Sequence, residues 1–322
     1  MSGTGTRGGM SGTTTSVAIY GAGQLASGVA ARLRARGDIE LRGPGARDAT
    51  LLDGGADLVI IATTTLLADV LGDVERAVAA GSNVLVSAEE SAFPWNVDRE
   101  AADRIDALAR QHRVTVLGGG LNPGFLFDAL VLTLLGAHDL PSSIRIERVV
   151  GLGRFGEAVR GRLGLGFTAD EFAAGRAAGR ILGHAGFAQS MRIVADALGI
   201  DIDPIAGEFE PVYDTSGGDD ARTTGFHQTY TATVAGEPWF VADFIGNVDL
   251  AAAGLTPGDR VTITDDHGTR TVTIDPGVPS QEGSVAVIAN SVDRVIAGPP
   301  GWVTIAALPP AFPRMTTDRS TT

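Results

Sequence analysis

Short apolar runs alternate with amphipathic helical patterns along the first half of the chain. Runs such as "SVAIY", "DLVIIA" and "NVLVS" have the length and the β-branched content of buried strands. Between them, stretches such as "DREAADRIDALARQH" carry apolar residues three and four positions apart, which is the spacing of a helix that buries one face. Strands separated by helices of this length predict right-handed crossovers and a parallel sheet.

The pattern changes after about Pro141, where apolar and polar residues alternate with a period of two. Stretches such as "SSIRIERVVGL" and "DRVTITDDHGTRTVTI" turn at glycine- and aspartate-rich points, which is typical of antiparallel hairpins. Helices interrupt them: Thr168 and Glu171 have the spacing of a capping box, and a second helix is predicted over residues 181–199. The stretch "GSVAVIANSVDRVIAG" predicts a final amphipathic helix.

The two patterns predict an α/β fold with two domains. The first is a Rossmann-type domain with a parallel sheet, and the second is an α+β domain with a largely antiparallel sheet. Residues 1–15 are a low-complexity tract that can bury nothing, so we expect a disordered leader there. Residues 313–322 predict a flexible tail on similar grounds.

The composition excludes several classes of function. The chain has 322 residues and a formal net charge of −13, so it is not expected to bind nucleic acid or an anionic membrane surface. It contains no cysteine and no lysine, which removes disulfides, thiol nucleophiles, thiolate metal sites and lysine Schiff bases. No apolar run is long enough for a membrane span and the N-terminus lacks the apolar core of a signal peptide, so a cytoplasmic location is expected.

A glycine turn follows the first predicted strand and opens the first predicted helix. Its "GAGQLA" segment has the GxGxxA pattern of dinucleotide-binding folds, in the strand-turn-helix context that this mechanism requires. Gly21 permits the tight turn, Gly23 leaves room for a pyrophosphate, and the phosphates would lie on the helix N-terminus. The residues predicted to contact the cofactor here are Gly21, Ala22, Gly23, Gln24 and Leu25.

The end of the second predicted strand bears on the choice of cofactor. Glu40 lies about where an acidic residue would bind a ribose 2′-hydroxyl, but Arg42 and Arg47 lie at and beyond the strand end, where arginine suits a 2′-phosphate. This favours NADP(H), with NAD(H) possible, unless both arginines are solvated surface residues. Thr63 and Thr64 follow the third strand, at the edge where such sheets bind ligands.

Two adjacent carboxylates, Glu89 and Glu90, follow the fourth predicted strand in "VLVSAEESAFPW". The carboxyl end of this strand borders the crevice in which a nicotinamide ring would lie. Neighbouring residues there point to opposite sides, so we expect one of the two to enter the cleft. A carboxylate beside a partly dry ring would have a raised pKa, could exchange a proton with an amine nitrogen, and when ionised would stabilise an iminium ion. The alternative is that both are exposed loop residues.

Asn122 and Pro123 lie in "GGGLNPGFLFDAL", directly after the fifth predicted strand. Three glycines indicate a tight passage, and a helix is predicted to begin near Pro123, with Asn122 as its cap and facing the cofactor. A purely structural turn is equally compatible with the spacing.

Five segments together resemble the 2,4-diaminopentanoate dehydrogenase and native amine dehydrogenase family, whose N-terminal domain is similar to that of dihydrodipicolinate reductases. They are "GAGQLA", "VSAEESAFPW", "GGGLNPGFLFDAL", "GHAGFAQSMRIVADALG" and "GSVAVIANSVDRVIAGPPGWVTIAALP". The resemblance extends from Ser16 to Pro313 and is most specific in the glutamate and Asn-Pro-Gly segments.

The resemblance implies NAD(P)-dependent oxidative deamination of an amine, or the reverse reductive amination of a ketone or aldehyde with ammonia, in a homodimer. It implies that a glutamate of the "AEE" segment, Glu89 or Glu90, is the central polar group of the site. It also implies that residues 283–312 return to the Rossmann domain of residues 16–141, and that residues 142–282 form a substrate-binding and dimerisation domain. The segment "GRFGEAVRGRLGLG" departs from the family pattern and leaves the substrate open.

His184 matches the family's "GH" start of a helix, where it would line the substrate pocket, and Phe155 is a candidate for an apolar pocket wall. A capping or core role for the histidine and a core role for the phenylalanine are the alternatives. None of the five histidines pairs with another at metal-ligand spacing near an acid, so no metal site is predicted.

The sequence therefore predicts an NADP(H)-preferring amine dehydrogenase that acts on a small carbonyl or amine compound and ammonia. One alternative is a reductase of a cyclic or other imine, related to dihydrodipicolinate reductase, although the His-His and Lys-rich motif of that family is absent. Another is a non-catalytic NADP-binding sensor, since the same glycine turn binds cofactor in both cases.

Overall fold

Two six-stranded sheets organise the chain in a computed structural model that describes residues 14–46, 48–214, 218 and 220–314. The strands are β1 (Thr15–Tyr20), β2 (Ile39–Gly45), β3 (Leu58–Ile61), β4 (Asn83–Val86), β5 (Thr115–Gly118), β6 (Ser143–Gly151), β7 (Ala206–Tyr213), β8 (Thr223–Val234), β9 (Glu237–Asn247), β10 (Gly258–Asp265), β11 (Gly268–Ile274) and β12 (Gly301–Val303).

Nine α-helices lie in the described part of the chain. They are α1 (Gln24–Arg34), α2 (Thr50–Asp53), α3 (Leu71–Ala79), α4 (Arg99–His112), α5 (Ala129–Leu135), α6 (Glu157–Arg162), α7 (Ala169–Ala177), α8 (Phe187–Leu198) and α9 (Ser280–Ile296). Short 3₁₀ turns cover Glu89–Ala92, Pro94–Asn96 and Ile305–Ala307. None of the described helices is long and apolar enough to cross a bilayer.

The first sheet is parallel throughout, in the order β12-β5-β4-β3-β1-β2. Its central strands are apolar runs buried on both faces, because helices cover both sides of the sheet. The strand order reverses between β1 and β3, so the crevice beyond their carboxyl ends is the expected ligand site of such a sheet. The predicted Rossmann-type parallel sheet is confirmed.

The second sheet has the order β11-β10-β6-β9-β8-β7. Neighbouring strands are antiparallel except β6 and β9, which run parallel. The predicted largely antiparallel sheet is confirmed. On β6 the inward positions alternate as period two requires, and Arg148 occupies one of them between Ile146 and Val150.

The C-terminal elements pack on the first sheet. Ile288 and Val292 of α9 share an apolar cluster with Val29 and Leu33 of α1, and β12 pairs with β5. Helix α9 contacts both sheets: its later turns pack on the first sheet, and its first residue, Ser280, accepts a hydrogen bond from Arg148 of the second. The domain limits proposed from the sequence stay a prediction.

Two helices begin later than the sequence predicts. No helix begins near Pro123: residues 122–128 form turns, and α5 begins at Ala129 under a cap from Asp128, so Asn122 is not a helix cap. The φ of Gly124 is +120°, a value that no helix accommodates. Likewise α8 begins at Phe187 rather than near residue 181, because the φ angles of Gly183 and Gly186 are positive.

Candidate active site

A cavity of about 640 Å³ opens beyond the carboxyl ends of the first sheet. Loops after β1, β3, β4 and β5 form one wall, while the other wall comes from β6, β9, α6, the segment before α8, and the start of α9. Ten of the residues singled out in the sequence line it: Gly23, Gln24, Leu25, Thr63, Thr64, Glu89, Asn122, Pro123, Phe155 and His184. Gly21, Ala22, Arg42 and Glu90 are not among the lining residues, and Arg47 lies outside the described residues.

The glycine turn has the geometry that a dinucleotide requires. The φ of Gly21 is +139°, and a Cβ atom there would lie 2.2 Å from the Ala62 carbonyl oxygen, so β1 and the end of β3 approach closely only with glycine. A Cβ at Gly23 would meet nothing within 4 Å, which leaves space on the cavity side. No side chain caps the N-terminus of α1, so its free amides are available to an anion. These residues fit a bound dinucleotide.

Glu89 is the carboxylate that lies in the cavity. It begins the 3₁₀ turn after β4, its side chain is 18% exposed, and its Oε1 lies 3.7 Å from Nη2 of Arg162. Burial raises the pKa of Glu89, while the charge of Arg162 and the hydroxyl of Thr65 oppose that rise. The group therefore titrates nearer neutral pH than an ordinary glutamate, which suits proton exchange with a nitrogen.

Glu90 points away from the cavity. Its Oε2 accepts a hydrogen bond from the backbone amide of Leu67 at 2.7 Å, which fixes the start of the segment leading to α3. The two neighbouring carboxylates thus occupy opposite sides of the turn: Glu90 bonds a backbone amide, whereas the partners of Glu89 are the Thr65 hydroxyl and Arg162 in the cavity.

The Asn-Pro-Gly turn presents an unpaired acceptor to the cavity lining. The Gly120 amide donates to the Pro123 carbonyl at 2.7 Å and closes the turn. Asn122 Oδ1 is buried and has no hydrogen-bond partner among the described residues. A buried carbonyl oxygen of this kind normally has a donor, so the turn is prepared for a ligand such as the carboxamide of a nicotinamide.

His184 lies in the opposite wall as a neutral imidazole. Its backbone N–H donates to Gln228 and its carbonyl accepts from the same side chain, both at 2.9 Å, so the position of the loop is fixed. Burial, followed by the charges of Arg162 and Arg148, lowers the pKa of His184 to about 3. Its Nε2 atom is buried without a partner. Phe155 completes the apolar part of this wall.

Two arginines that the sequence analysis did not single out line the cavity. Arg148 is 1% exposed, forms an ion pair with Asp259 and donates to the Val278 carbonyl and the Ser280 hydroxyl. The period-two alternation of β6 places it inward, and this signal could have identified it. Arg162 lies in the unusual glycine- and arginine-rich segment, but its contact with Glu89 joins positions far apart in sequence and has no local pattern.

The arginine proposed to select the 2′-phosphate lies outside the cavity lining. Arg42 is part of β2, and its Nη2 lies 3.4 Å from the Gly54 carbonyl oxygen, so the guanidinium rests on the loop after α2. Glu40 is exposed on the same strand.

Comparisons with known proteins agree on one family. The family model of the 2,4-diaminopentanoate dehydrogenase C-terminal domain matches residues 125–321. A 2,4-diaminopentanoate dehydrogenase from Acetoanaerobium sticklandii is 32% identical over 284 residues, which is 85% of this chain and 80% of that protein.

Solved structures share the fold at lower identity. An amine dehydrogenase from Mycobacterium smegmatis is 20% identical, with a TM-score of 0.78 over 93% of this chain and 97% of that chain. A biliverdin reductase from Synechocystis, solved with biliverdin and NADP+, is 15% identical, with a TM-score of 0.55 over 91% of this chain and 94% of that chain.

Proposed function

The chain belongs to the 2,4-diaminopentanoate dehydrogenase family, and from this premise we propose that it interconverts an amine with a carbonyl compound and ammonia at the Glu89 cavity. It is an oxidoreductase that acts on a CH–NH2 group. The observation that carries the proposal is the enclosed Glu89 carboxylate, which lies beside Arg162 in one cavity with the cofactor turn.

A nicotinamide cofactor fits the residues of this cavity. The free N-terminus of α1 and the open space at Gly23 would take the pyrophosphate, and Asn122 Oδ1 would accept a hydrogen bond from the carboxamide. When bound, the cofactor supplies or accepts a hydride. We propose NADP(H) rather than NAD(H) from the positions of Arg42 and Arg47 in the sequence, while NAD(H) stays possible; to reach a 2′-phosphate, the guanidinium of Arg42 would have to leave the Gly54 carbonyl.

The proposed deamination has two steps, hydride loss and hydrolysis. In deamination the carbon that bears the amine loses a hydride and becomes an iminium carbon; water then adds to it, and a ketone or aldehyde leaves with an ammonium ion. Ionised Glu89 stabilises the positive iminium in a site from which much of the water is excluded. It also moves protons between the adding water and the departing nitrogen, and the reverse sequence gives reductive amination.

A cofactor-consumption assay tests the reaction. NADPH and NADH are each supplied with a panel of ketones and aldehydes, in ammonium buffer and in a sodium buffer of the same ionic strength. We expect oxidation of the cofactor that requires ammonium, with a higher kcat/KM for NADPH. Equal rates without ammonium would instead indicate carbonyl reduction, and turnover only of preformed cyclic imines would indicate the imine reductase. Cofactor binding without turnover on any compound would indicate a sensor.

A further inference from the structure

Arg162 connects the two walls of the cavity. It ends α6, on the side of the second sheet, and its Nη1 hydrogen-bonds the hydroxyl of Thr65, which follows β3 of the first sheet. Its Nη2 lies 3.7 Å from Glu89 Oε1. Among the described residues, Arg162 is the ion-pair partner of Glu89.

The backbone of Arg162 is fixed independently of its side chain. Its carbonyl accepts hydrogen bonds from the amides of Leu182 at 3.0 Å and Gly183 at 3.2 Å. Those amides belong to the loop that carries His184, which Gln228 fixes in turn. The guanidinium therefore extends from an anchored position, and its 25% exposure means that protein encloses most of it.

The other charged groups around Glu89 do not replace Arg162. Glu90, on the same 3₁₀ turn, raises the pKa of Glu89, and Glu157 of α6 adds a second acid to the cavity lining. His184 is neutral because its pKa is about 3, and Arg148 is already neutralised by its ion pair with Asp259.

We propose that Arg162 is a positioning residue that keeps the Glu89 carboxylate ionised and oriented toward the reacting nitrogen. This role depends on the function proposed above. At 3.7 Å the pair is close enough for a strong Coulombic attraction but too long for a hydrogen bond, so Arg162 supplies charge without taking up the carboxylate oxygen that would bond an amine or a water. Without the arginine, a largely buried carboxylate would have no counter-charge and would take up a proton instead.

The pH dependence of amine oxidation tests this role. Substrate and NADP+ are varied to obtain kcat/KM at each pH for Arg162→Gln, Arg162→Lys and Arg160→Gln. Activity requires ionised Glu89 and so is lost as pH falls through its pKa. We expect the acidic limb of Arg162→Gln to move upward by about one pH unit or more, with activity recovering at high pH. Arg162→Lys should return the limb toward the wild-type position, because a lysine restores the positive charge.

Arg160→Gln is the matched control, since Arg160 lies two positions earlier in α6 and does not line the cavity. The acidic limb of the pH profile of Arg160→Gln should coincide with that of the wild type. Thermal unfolding should show that all three variants fold. If kcat/KM of Arg162→Gln falls by the same factor at every pH, the inference is overturned and Arg162 has only a structural role. Glu89→Gln separates the two proposals: if it retains full activity, the proposed function fails, whatever Arg162 does.

Discussion

Two identical side chains at neighbouring positions have different environments in this protein. Glu89 is enclosed in the cavity beside Arg162, whereas Glu90 accepts a backbone hydrogen bond from Leu67. The sequence located the pair at the carboxyl end of β4 because a buried strand that ends in two acids is unusual. Which of them enters the cavity depends on the path of a 3₁₀ turn and on a backbone donor more than twenty residues away, and neither leaves a local sequence pattern.

The glycine turn gives a prediction at this scale. Gly21→Ala should destabilise the fold, since its Cβ would lie 2.2 Å from the Ala62 carbonyl at a φ of +139°, and we expect a loss of about 2 kcal/mol or more. Gly23→Ala has open space and should fold normally, but the added methyl group occupies the approach of the pyrophosphate. Urea unfolding and fluorescence titration with NADPH measure both effects. Equal unfolding free energies for the two variants would contradict this account.

At the scale of elements, the apolar pattern predicted the start of the helix after Pro123 several residues too early. The apolar run "FLFDAL" has helical spacing, but the chain turns through Gly124 first, and Asp128 caps α5 instead. Helix α8 is similar: a side chain at Gly186 would lie 2.4 Å from Pro123 Cδ and 3.2 Å from Glu89 Cβ, so the chain must pass close to the site before the helix begins. In contrast, Thr168 and Glu171 form the capping box that their spacing predicted, and Asp98 caps α4.

Asp128 links the Asn-Pro-Gly turn to two helices. Its carboxylate accepts hydrogen bonds from the amides of Gly124 and Ala129 and from the Ser190 hydroxyl, and it is completely buried. Asp128→Ala would leave three buried donors without acceptors, so we expect a loss of about 3 kcal/mol or more in the free energy of unfolding, together with weaker cofactor binding.

Asp98→Ala is the matched comparison for that substitution. Asp98 is an exposed cap that accepts from the Ala101 amide, and its loss should cost about 1 kcal/mol with unchanged activity. Chemical denaturation of both variants measures the contrast. Equal losses would show that the buried network contributes no more than an ordinary helix cap.

At the scale of the whole molecule, the period of the apolar pattern was sufficient to predict two sheets of different kinds. It did not predict the order of strands in the second sheet, in which β6 lies parallel to β9 across nearly a hundred residues of chain. The cavity lies between elements of both sheets, so residues such as Arg148 and Arg162 acquire their surroundings only when the sheets come together. The homodimer and the domain limits stay predictions, and light scattering would test the first against the chain mass of 33.0 kDa.

The neutral His184 gives the stability of the whole molecule a pH dependence. In the folded state its pKa is about 3, and in the unfolded chain it returns to about 6.5, so between these values only the unfolded state binds the proton. Its contribution to the free energy of unfolding therefore falls as pH falls through this window, by about 1.4 kcal/mol per pH unit. Urea unfolding at several pH values, compared with His184→Leu, measures it. Parallel pH dependences for the two proteins would show that the pKa of His184 is the same in the folded and unfolded states.

The most direct test compares two isosteric substitutions at the neighbouring carboxylates. Glu89→Gln removes the charge in the cavity, whereas Glu90→Gln keeps a carbonyl oxygen that can still accept from the Leu67 amide. We predict that kcat/KM for amine oxidation falls by about 100-fold or more in Glu89→Gln, the usual effect of losing a general acid–base group, and changes little in Glu90→Gln. Near-normal turnover in Glu89→Gln, or a large loss of turnover confined to Glu90→Gln, would contradict the assignment of Glu89 as the group that exchanges protons with the reacting nitrogen.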